Sequence, residues 1–192
     1  MTARCWGDGD PVMAAYHDEE WGRPVRAERG LFEKVCLEGF QAGLSWRTVL
    51  VRRESLRAAF SGFDPGALAA VPDDAVESLL AADGMLRNRA KVRAVLTNAR
   101  AWERLRAGGS GLVDLVWAAR PAGRRRAPRT LAEVPSRSPE STELARALKA
   151  AGFVFVGPTT AYALMQADGV VNDHLLTCPV RRDVEAEQRA AR

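Results

Sequence analysis

The sequence predicts an all-α fold, and three observations support this prediction. Apolar residues recur every three or four positions along most of the 192-residue chain, which is the spacing of one face of a helix. Alternation of apolar and polar residues, the pattern of a half-buried strand, is nearly absent. Proline and small polar residues precede several periodic segments, as they do at helix N-termini. With 47% hydrophobic residues, the chain can bury one core, so we expect a single domain, 1–192.

Helix-start signals divide the first half of the chain. Asp10-Pro11 opens a short helix, and Ser45, Asp64-Pro65 and Val71-Pro72-Asp73 each precede another periodic segment. The segment after Ser45 is predicted as one helix, with an apolar face formed by Val49, Leu50, Leu56 and Phe60.

The segment from residue 31 to residue 46 contains an acidic side chain on an apolar helix face. That face is formed by Leu31, Phe32, Val35, Cys36 and Phe40, and Glu38 falls at its edge. A lone buried carboxylate costs several kcal/mol, by order of magnitude, unless it is paired, protonated or next to a polar cavity. Glu38 is therefore a candidate site residue. The alternative is a structural glutamate that accepts backbone hydrogen bonds or pairs with an arginine.

Residues of about 76–106 are predicted as helix, tight turn, helix. Asp83-Gly84 makes the turn, and Asn88 can cap the second helix. A hairpin followed by a helix N-terminus directs backbone N–H groups to one point, which suits a phosphate. Basic side chains surround that point: Arg87, Arg89, Lys91 and Arg93. The pattern is that of a helix-hairpin-helix element that includes Gly84, and the alternative is an ordinary αα-hairpin with exposed basic residues.

Basic residues are concentrated in and after this hairpin. Residues 85–129 contain 12 Lys or Arg and only two acids, a local charge of +10 in a chain whose net charge is +4. This asymmetry predicts a surface that faces a polyanion, and the alternative is a set of solvated helix faces. Residues 120–129 are predicted as a mobile basic surface loop, and residues 179–192 as a polar tail. Further helices are expected at 112–119, after Ser138-Pro139 and after Pro158.

Each of the two histidines has a cysteine nearby in sequence. Cys5 lies twelve residues before His17, and Cys178 lies four residues after His174. Two cysteines and two histidines form a complete tetrahedral zinc set with no open position, so we expect a structural clasp that joins the N- and C-terminal segments. The alternative is two unrelated histidines and two inert thiols. The third cysteine, Cys36, lies on an apolar helix face and is predicted to be a core residue.

The N-terminus has no apolar segment of the kind that a signal peptide needs, and no apolar run approaches the ~20 residues of a transmembrane helix. Three cysteines in a chain of this length do not form a disulfide framework. We therefore expect a cytoplasmic protein without membrane partners, and a monomer.

Several separated motifs resemble one known family. They are Arg4-Cys5-Trp6, residues 16–22, residues 37–46, residues 155–160, Met165-Gln166-Ala167 and residues 171–174. In this order, and over nearly the whole chain, they resemble the bacterial DNA-3-methyladenine glycosylases I. The resemblance implies an all-helical, helix-hairpin-helix DNA glycosylase fold. It also implies structural zinc on the residues that match its ligands: Cys5, His17, His174 and Cys178.

The resemblance also implies an activity and a base-binding pocket. Members of the family excise N3-methyladenine from alkylated double-stranded DNA and release the free base. Glu38 would contact the base as the catalytic carboxylate, Tyr16 and Trp46 would stack on it, and Trp6 and Trp21 would help wall the cavity. Family members usually have one residue between the first cysteine and the following tryptophan, whereas Cys5 and Trp6 are adjacent here.

The implied chemistry agrees with these residue types. N3-methyladenine is cationic and a good leaving group, so the enzyme must mainly recognise its charge, which aromatic faces and a carboxylate can do. Gly43-Leu44 is suited to fill the space that the base vacates in the duplex. Asn88 stands where lyase-competent relatives carry a lysine, so hydrolysis by water is predicted.

Two other classes of function compete with this prediction. A non-catalytic, zinc-stapled protein that binds DNA lesions would keep the basic hairpin and the clasp but would need no buried carboxylate among aromatic side chains. An endonuclease or lyase would need a lysine near the pocket or a cluster of metal-binding carboxylates, and the sequence indicates neither.

Overall fold

The computed structural model describes residues 4–123 and 126–191, and regular structure within these ranges is entirely helical, which confirms the all-α prediction. The α-helices of the described residues are α1 Pro11–Glu19, α2 Glu28–Gln41, α3 Trp46–Leu50, α4 Arg53–Ala59, α5 Pro65–Ala69, α6 Val76–Ala81, α7 Arg89–Ala107, α8 Leu112–Ala118, α9 Pro139–Ala150, α10 Pro158–Ala167 and α11 Arg181–Ala190. Single 3-10 turns occur at Ser61–Phe63, Asp73–Ala75 and Leu131–Glu133. None of these helices combines the length and the apolar character needed to cross a membrane.

Helix α2 lies at the centre of the fold and packs against α3, α7, α8 and α10. Leu31, Phe32, Leu37 and Phe40 on this helix are at most 1% exposed. Burial of each such side chain stabilises the fold by about 1.5–3 kcal/mol. The apolar face predicted for this segment is thus confirmed, and Cys36 lies in the same core, as expected.

Five predicted helix caps are confirmed. The side chains of Asp10, Ser45, Asp64, Asn88 and Ser138 accept hydrogen bonds from backbone N–H groups in the first turns of α1, α3, α5, α7 and α9. The donor–acceptor distances are 2.9–3.2 Å. Each cap contributes about 1 kcal/mol, because it satisfies a backbone donor that the helix itself cannot. These helix starts were therefore encoded locally.

The segment after Ser45 corrects the prediction of one helix. It forms two short helices, α3 and α4, which are separated by a turn at Val51 and Arg52. The N–H of Arg52 bonds to the carbonyl oxygen of Val49 at 3.1 Å, three residues earlier, so the helix tightens and stops. Helix α4 then begins at Arg53, whose side chain is held by acidic groups from elsewhere in the fold.

The C-terminal segment corrects a second prediction. Residues 179–192 were expected to be a polar tail, but they contain the amphipathic helix α11. Val184 is fully buried, and the side chain of Gln188 donates to the carbonyl oxygens of Gly22 at 2.8 Å and Val171 at 3.2 Å. The helix therefore packs on the body of the protein. The sequence shows little apolar periodicity in this helix, because one of its two buried residues, Gln188, is polar.

The predicted basic loop 120–129 is described only in part, since residues 124 and 125 lie outside the described ranges. Arg126 and Arg129 are exposed. The carbonyl oxygen of Pro128 accepts a hydrogen bond from the N–H of Leu176 at 2.8 Å, which anchors the end of the loop.

Candidate active site

Glu38 lies on the inner face of α2, one turn before the helix ends. It is 5% exposed and makes no hydrogen bond or ion pair with the residues that the structure describes. Burial raises the pKa of the carboxyl to about 8, and the nearby Lys34 ammonium opposes this shift only in part. The prediction that Glu38 points into the protein is confirmed. A buried carboxyl without a protein partner is what a ligand site requires.

Tyr16 and Trp46 form an aromatic pair beside this carboxyl. Their ring centroids are 5.2 Å apart, with an angle of 53° between the planes. Tyr16 is buried, and its pKa is raised well above the ordinary value, first by burial and then by the charge of Glu38. Trp46 is half-buried, and its Nε1 donor has no hydrogen-bond partner within the described residues. The pair thus presents two aromatic rings and an unused N–H, and its Tyr16 hydroxyl feels the charge of the unpartnered Glu38 carboxyl.

Trp6 and Trp21 extend the aromatic cluster toward the histidines. Trp6 lies 6.1 Å from Tyr16 and 5.2 Å from Trp21, between ring centroids, so its adjacency to the preceding cysteine does not remove it from the cluster. Both tryptophans also lie next to the histidines: the ring of Trp6 is 4.8 Å from that of His17, and the ring of Trp21 is 6.0 Å from that of His17 and 4.6 Å from that of His174. Trp6 therefore lies beside both Tyr16 and the metal-ligand candidates, whereas the ring contacts of Trp21 among the described residues are with Trp6 and the histidines.

The four metal-ligand candidates come together from the two ends of the chain. Cys5, His17, His174 and Cys178 are all buried, and their ligand atoms lie within 4.8 Å of one another. The Sγ of Cys178 lies 3.6 Å from Nε2 of His17 and 3.4 Å from Nδ1 of His174, and the Sγ of Cys5 lies 3.7 Å from the same Nδ1. Ligands bonded to one tetrahedral zinc ion at ordinary lengths are separated by about 3.4–3.8 Å. This cluster could hold a metal ion.

Hydrogen bonds outside the cluster aim the ligand atoms inward. His17 Nδ1 lies 2.8 Å from a carboxylate oxygen of Asp18, which leaves Nε2 toward the thiols. His174 Nε2 lies 2.9 Å from the carbonyl oxygen of Trp21, which leaves Nδ1 toward them. Burial lowers the pKa of His174 to about 4, so that its ring is neutral at pH 7. Neutral, oriented imidazoles are the form that binds metals.

The predicted hairpin joins α6 to α7. Gly84 has a φ of +72°, and an added Cβ would lie 2.3 Å from Oγ of Ser55, so the turn both needs and has space only for glycine. Asn88 caps α7 through the backbone N–H of Lys91 at 3.1 Å. Arg87 is exposed and makes no ion pair with the described residues.

Lys91 is not at the surface, in contrast to the position expected of a phosphate contact. It is 7% exposed, and its Nζ donates to the carbonyl oxygens of Phe40, at 2.8 Å, and Ala42. The ammonium thereby satisfies carbonyl groups that the end of α2 leaves free. Arg89 is exposed but paired with Glu77. Among the basic residues predicted around the hairpin, Lys91 is therefore the one whose ammonium is buried and bonded to backbone carbonyl groups.

Gly43 and Leu44 follow the end of α2 directly. Gly43 has a φ of +77°, and no atom lies within 4 Å of the position of an added Cβ. The side chain of Leu44 is 39% exposed. An exposed leucine at the tip of a loop whose base is held by Lys91 is available to contact a partner.

The described residues form two surface grooves, and only the second is lined by a residue of the candidate site, Tyr16. One, of about 950 Å³, runs between residues 120–123 and 126–127 on one side and α11 on the other, and is bordered by Arg120, Arg181 and Arg189. Another, of about 350 Å³, lies on the side of Tyr16 that faces α4. Glu38 borders neither groove, so the candidate site is identified by the chemistry of its side chains rather than by cavity size.

Comparisons with known proteins agree with this geometry. A family model described as methyladenine glycosylase matches residues 6–182. The chain belongs to this methyladenine glycosylase family. Its relative from Escherichia coli, DNA-3-methyladenine glycosylase 1, is 46% identical over 177 residues, which are 91% of this chain and 95% of the relative.

Solved structures of methyladenine glycosylases have the same fold. A crystal structure of 3-methyladenine DNA glycosylase I, 46% identical, superposes with a TM-score of 0.88 over 92% of this chain and 98% of that chain. A Staphylococcus aureus structure that addresses 3-methyladenine recognition by that enzyme is 29% identical, with a TM-score of 0.85 over 91% of this chain and 94% of that chain.

In this family member, the sequence prediction missed a network of charged side chains next to Tyr16. The Lys34 ammonium lies 4.8 Å from the centre of the Tyr16 ring and is paired with Glu20. Arg53 binds both Glu20 and Glu33 at 2.6 Å. The sequence contained one indication of this network, which is Lys34 among the apolar residues of α2. The pairing itself could not be predicted locally, because its partner Glu20 lies on a different element.

Asp168, after the last residue of α10, is a second missed acid. It is fully buried, and neither carboxyl oxygen has a hydrogen-bond partner within the described residues. Burial raises its pKa well above the ordinary value, Lys34 opposes the shift, and Glu38 and Glu20 add to it. Nothing in its local sequence distinguishes it from a solvated residue at the end of a helix.

Proposed function

We propose that the chain is a monofunctional DNA glycosylase, which hydrolyses the N-glycosidic bond of N3-methyladenine in alkylated double-stranded DNA and releases the free base. The names of its relatives support this activity. The observation that carries the proposal is the Glu38 carboxyl, which is buried, has no partner among the described residues and acts by its charge on Tyr16, one ring of the Tyr16–Trp46 pair. A purely structural glutamate at this position would be hydrogen-bonded or ion-paired.

The pocket selects its base by charge. A cationic ring that stacks against the faces of Tyr16 and Trp46 gains from their negative aromatic faces, and the Glu38 carboxylate accepts its exocyclic N–H and offsets its charge. Neutral adenine gains much less from either contact. Trp46 Nε1 is a further donor for a base acceptor atom. Trp6 closes the aromatic cluster beside Tyr16, and Trp21 supports Trp6 at 5.2 Å.

Hydrolysis needs little acid catalysis, because the alkylated base leaves as a neutral molecule. Glu38 has the catalytic role of stabilising positive charge on the departing base and the sugar. The nucleophile is water. Asn88, the residue at the hairpin position where a lyase would carry its amine, is occupied in capping α7.

DNA is held by the hairpin and opened by the loop after α2. Gly84 allows the hairpin backbone to approach a phosphate, and Arg87 and Arg89 add charge beside it. Leu44, next to Gly43, enters the base stack when the base leaves it. Lys91 acts indirectly, because it joins this loop to the first turn of α7.

Zinc is the metal that best suits the clasp. Two thiolates and two imidazoles complete its tetrahedral coordination, so Cys5, His17, His174 and Cys178 would hold it in a closed, structural site. Bound there, it would join the segment before α1 to the segment before α11. It would supply stability rather than a reactive water.

Base release from methylated DNA tests the proposed function. Wild-type protein should release 3-methyladenine from DNA treated with a methylating agent, as measured by chromatography of the soluble bases. Strand cleavage should remain at background. Lesion binding without base release would favour the non-catalytic alternative, and cleaved strands would favour a lyase.

Leu44→Ala tests the role of the loop separately from the pocket. We expect excision from duplex DNA to slow several-fold more than excision from a single strand, because only the duplex needs its stack filled. Affinity for free 3-methyladenine should be unchanged. Val51→Ala, which truncates another exposed apolar residue, is the matched control. Equal losses on both DNA substrates would remove the proposed role of Leu44.

A further inference from the structure

The connection between α9 and α10 presents an aromatic side chain to solvent. The side chain of Phe155 is 41% exposed, and that of the preceding Val154 is 38% exposed. Every other phenylalanine, tyrosine and tryptophan in the described ranges is buried or half-buried. An exposed phenylalanine beside a second exposed apolar residue is a candidate contact surface.

The backbone holds Phe155 in a conformation that its residue type disfavours. Its φ is +58°, in the left-handed region, where a residue with a Cβ is strained. Phe63 also has a positive φ, +56°, but its side chain is fully buried, so packing in the core offsets the strain. Phe155 gains no such burial. Strain that the surrounding structure maintains at an exposed residue is a feature of ligand-binding segments.

Contacts on both sides of Phe155 fix the backbone of this connection. Phe153 and Val156 are 2% and 3% exposed and anchor the connection in the core. Asn98 of α7, itself buried, donates through Nδ2 to the carbonyl oxygen of Val154 at 3.3 Å and accepts from the N–H of Val154 at 2.8 Å. The position of Phe155 is therefore set before a partner binds, which lowers the entropic cost of binding.

Helix α7 holds both this connection and the end of α2 that leads to Leu44. Lys91 of α7 bonds to the carbonyl oxygens of Phe40 and Ala42, and Asn98 bonds to the connection. Lys91 and Asn98 are seven residues apart, which places them two turns apart on one face of α7, separated by about 10 Å along the helix. The two exposed segments are thus held by the same helix face.

The connection also lies directly against α2. A Cβ added to Gly39 would lie 3.5 Å from Cβ of Phe155. From Gly39, α2 continues to Gln41, whose carbonyl oxygen accepts from the N–H of Leu44 at 2.7 Å and closes a turn. The Cα atoms of Gly39 and Leu44 are therefore within about 12 Å of each other. Successive bases of a strand are about 3.4 Å apart, so Leu44 and Phe155 can contact the same few base pairs.

We propose that Phe155 is a second DNA-contacting residue beside Leu44, whose ring stacks on a base that is uncovered when the methylated base leaves the duplex. The inference rests on the proposed function. The uncovered bases are the one opposite the vacated position and the two that flank it. A phenyl ring stacks on any base, because every base has a π-face, so this contact favours a distorted duplex without reading its sequence. In an intact duplex both faces of an internal base are already covered.

Binding to a duplex that contains a tetrahydrofuran abasic-site analogue isolates this contact from base release. Phe155→Ala should weaken binding to this duplex about tenfold, which corresponds to the loss of one base–aromatic stack, and should change binding to the intact duplex less than about twofold. Phe155→Trp keeps an aromatic face and should bind as wild type does, whereas Phe155→Leu is apolar without a ring and should resemble Phe155→Ala.

Three controls separate stacking from a structural role. Affinity for free 3-methyladenine should be unchanged in every Phe155 variant, because the ring is outside the base pocket. Melting temperature should change little, because the side chain is exposed. Leu131→Ala, which truncates another exposed apolar residue, is the matched control and should bind both duplexes as wild type does.

Removal of bases one at a time identifies the stacking partner. The affinities of wild type and Phe155→Ala are compared on duplexes that also lack the base opposite the analogue, or one of the two flanking bases. The tenfold difference should vanish on the duplex that lacks the partner of Phe155 and should persist on the others, because the residue and the base then form a double-mutant cycle.

Four results would overturn the inference. Equal affinities of wild type and Phe155→Ala for the abasic duplex would remove the contact, and an equal loss on the intact duplex would make it a general one. Wild-type affinity of Phe155→Leu would indicate apolar filling rather than stacking. A difference that persists whichever base is removed would exclude all three bases as partners. Absence of 3-methyladenine release by wild type would instead contradict the proposed function, and the binding titrations would still test Phe155.

Discussion

The cluster of candidate metal ligands and the proposed base pocket include neighbouring residues of α1, His17 and Tyr16, and differ in how their polar groups are satisfied. At the cluster, the ring nitrogens of His17 and His174 that face away from the thiols are hydrogen-bonded to Asp18 and to a backbone carbonyl. At the pocket, Glu38 and the indole N–H of Trp46 have no partner among the described residues. On the proposed function, a metal ion would complete the first region and a bound base would complete the second.

The stability of the clasp gives the largest expected difference between the two regions. Cys178→Ser should lower the melting temperature by roughly 10 °C or more, because the bond energy of a structural zinc site adds directly to folding energy. The purified wild type should contain one zinc per chain. Cys36→Ala, at a cysteine outside the cluster, should keep the metal. Well under one zinc in protein purified without chelators would contradict the assignment.

The pocket should behave in the opposite way, because its unpartnered carboxyl destabilises the fold. Glu38 titrates near 4.5 when unfolded and near 8 when folded, so the folded chain binds more protons between these values. The contribution of Glu38 to the free energy of unfolding therefore falls as pH rises from 4.5 to 8 and is constant above. Glu38→Gln should remove this fall and be the more stable protein at pH 8–9, by up to about 4 kcal/mol.

Chemical unfolding of wild type and Glu38→Gln at pH 5 and pH 8.5 measures this effect. The two proteins should be close in stability at the lower pH and should separate at the higher one. Glu54→Gln, at an exposed glutamate, is the control for loss of a carboxylate as such. A constant difference between wild type and Glu38→Gln at both pH values would show that Glu38 is not desolvated.

The affinity for free bases gives the next largest expected difference between the two regions. Glu38→Gln removes the charge but keeps an acceptor, so it should weaken binding of 3-methyladenine by about one to two decades while adenine binding changes little. Excision should slow without being abolished, because the alkylated base leaves easily. Zinc content should be unchanged. Equal affinities of both proteins for both bases would mean that Glu38 is structural.

The presence or absence of a partner within the protein also distinguishes two basic residues of the hairpin, Arg87 and Lys91. Their substitution is expected to give the smallest effect of these predictions. Arg87 is exposed without an ion pair, so Arg87→Ala should weaken binding to all DNA sequences and reduce the salt slope by about one. Lys91 is partnered by two carbonyl groups, so Lys91→Met should lower thermal stability and leave the salt slope unchanged. The reverse pattern in binding titrations at several salt concentrations would contradict this division.

Local signals in the sequence located much of the fold. Asp10, Ser45, Asp64, Asn88 and Ser138 were identifiable as caps because each acts on the helix that follows it within three residues. Where local pattern and tertiary contacts disagreed, the prediction failed. The helix after Ser45 is divided, and the charged C-terminal segment is a packed helix.

The sequence by itself determined which residues can do chemistry: a carboxylate on an apolar helix face, aromatic residues around it, and a cysteine near each histidine. Only the tertiary structure decided which of these groups are left without partners. The Lys91 ammonium bonds to carbonyl groups at the end of α2, and Lys34 pairs with Glu20, whereas Asp168 is buried with no side-chain partner among the described residues. Periodicity specifies which face of a helix is buried, but the partner across that face comes from elsewhere in the chain, and only folding brings the two together.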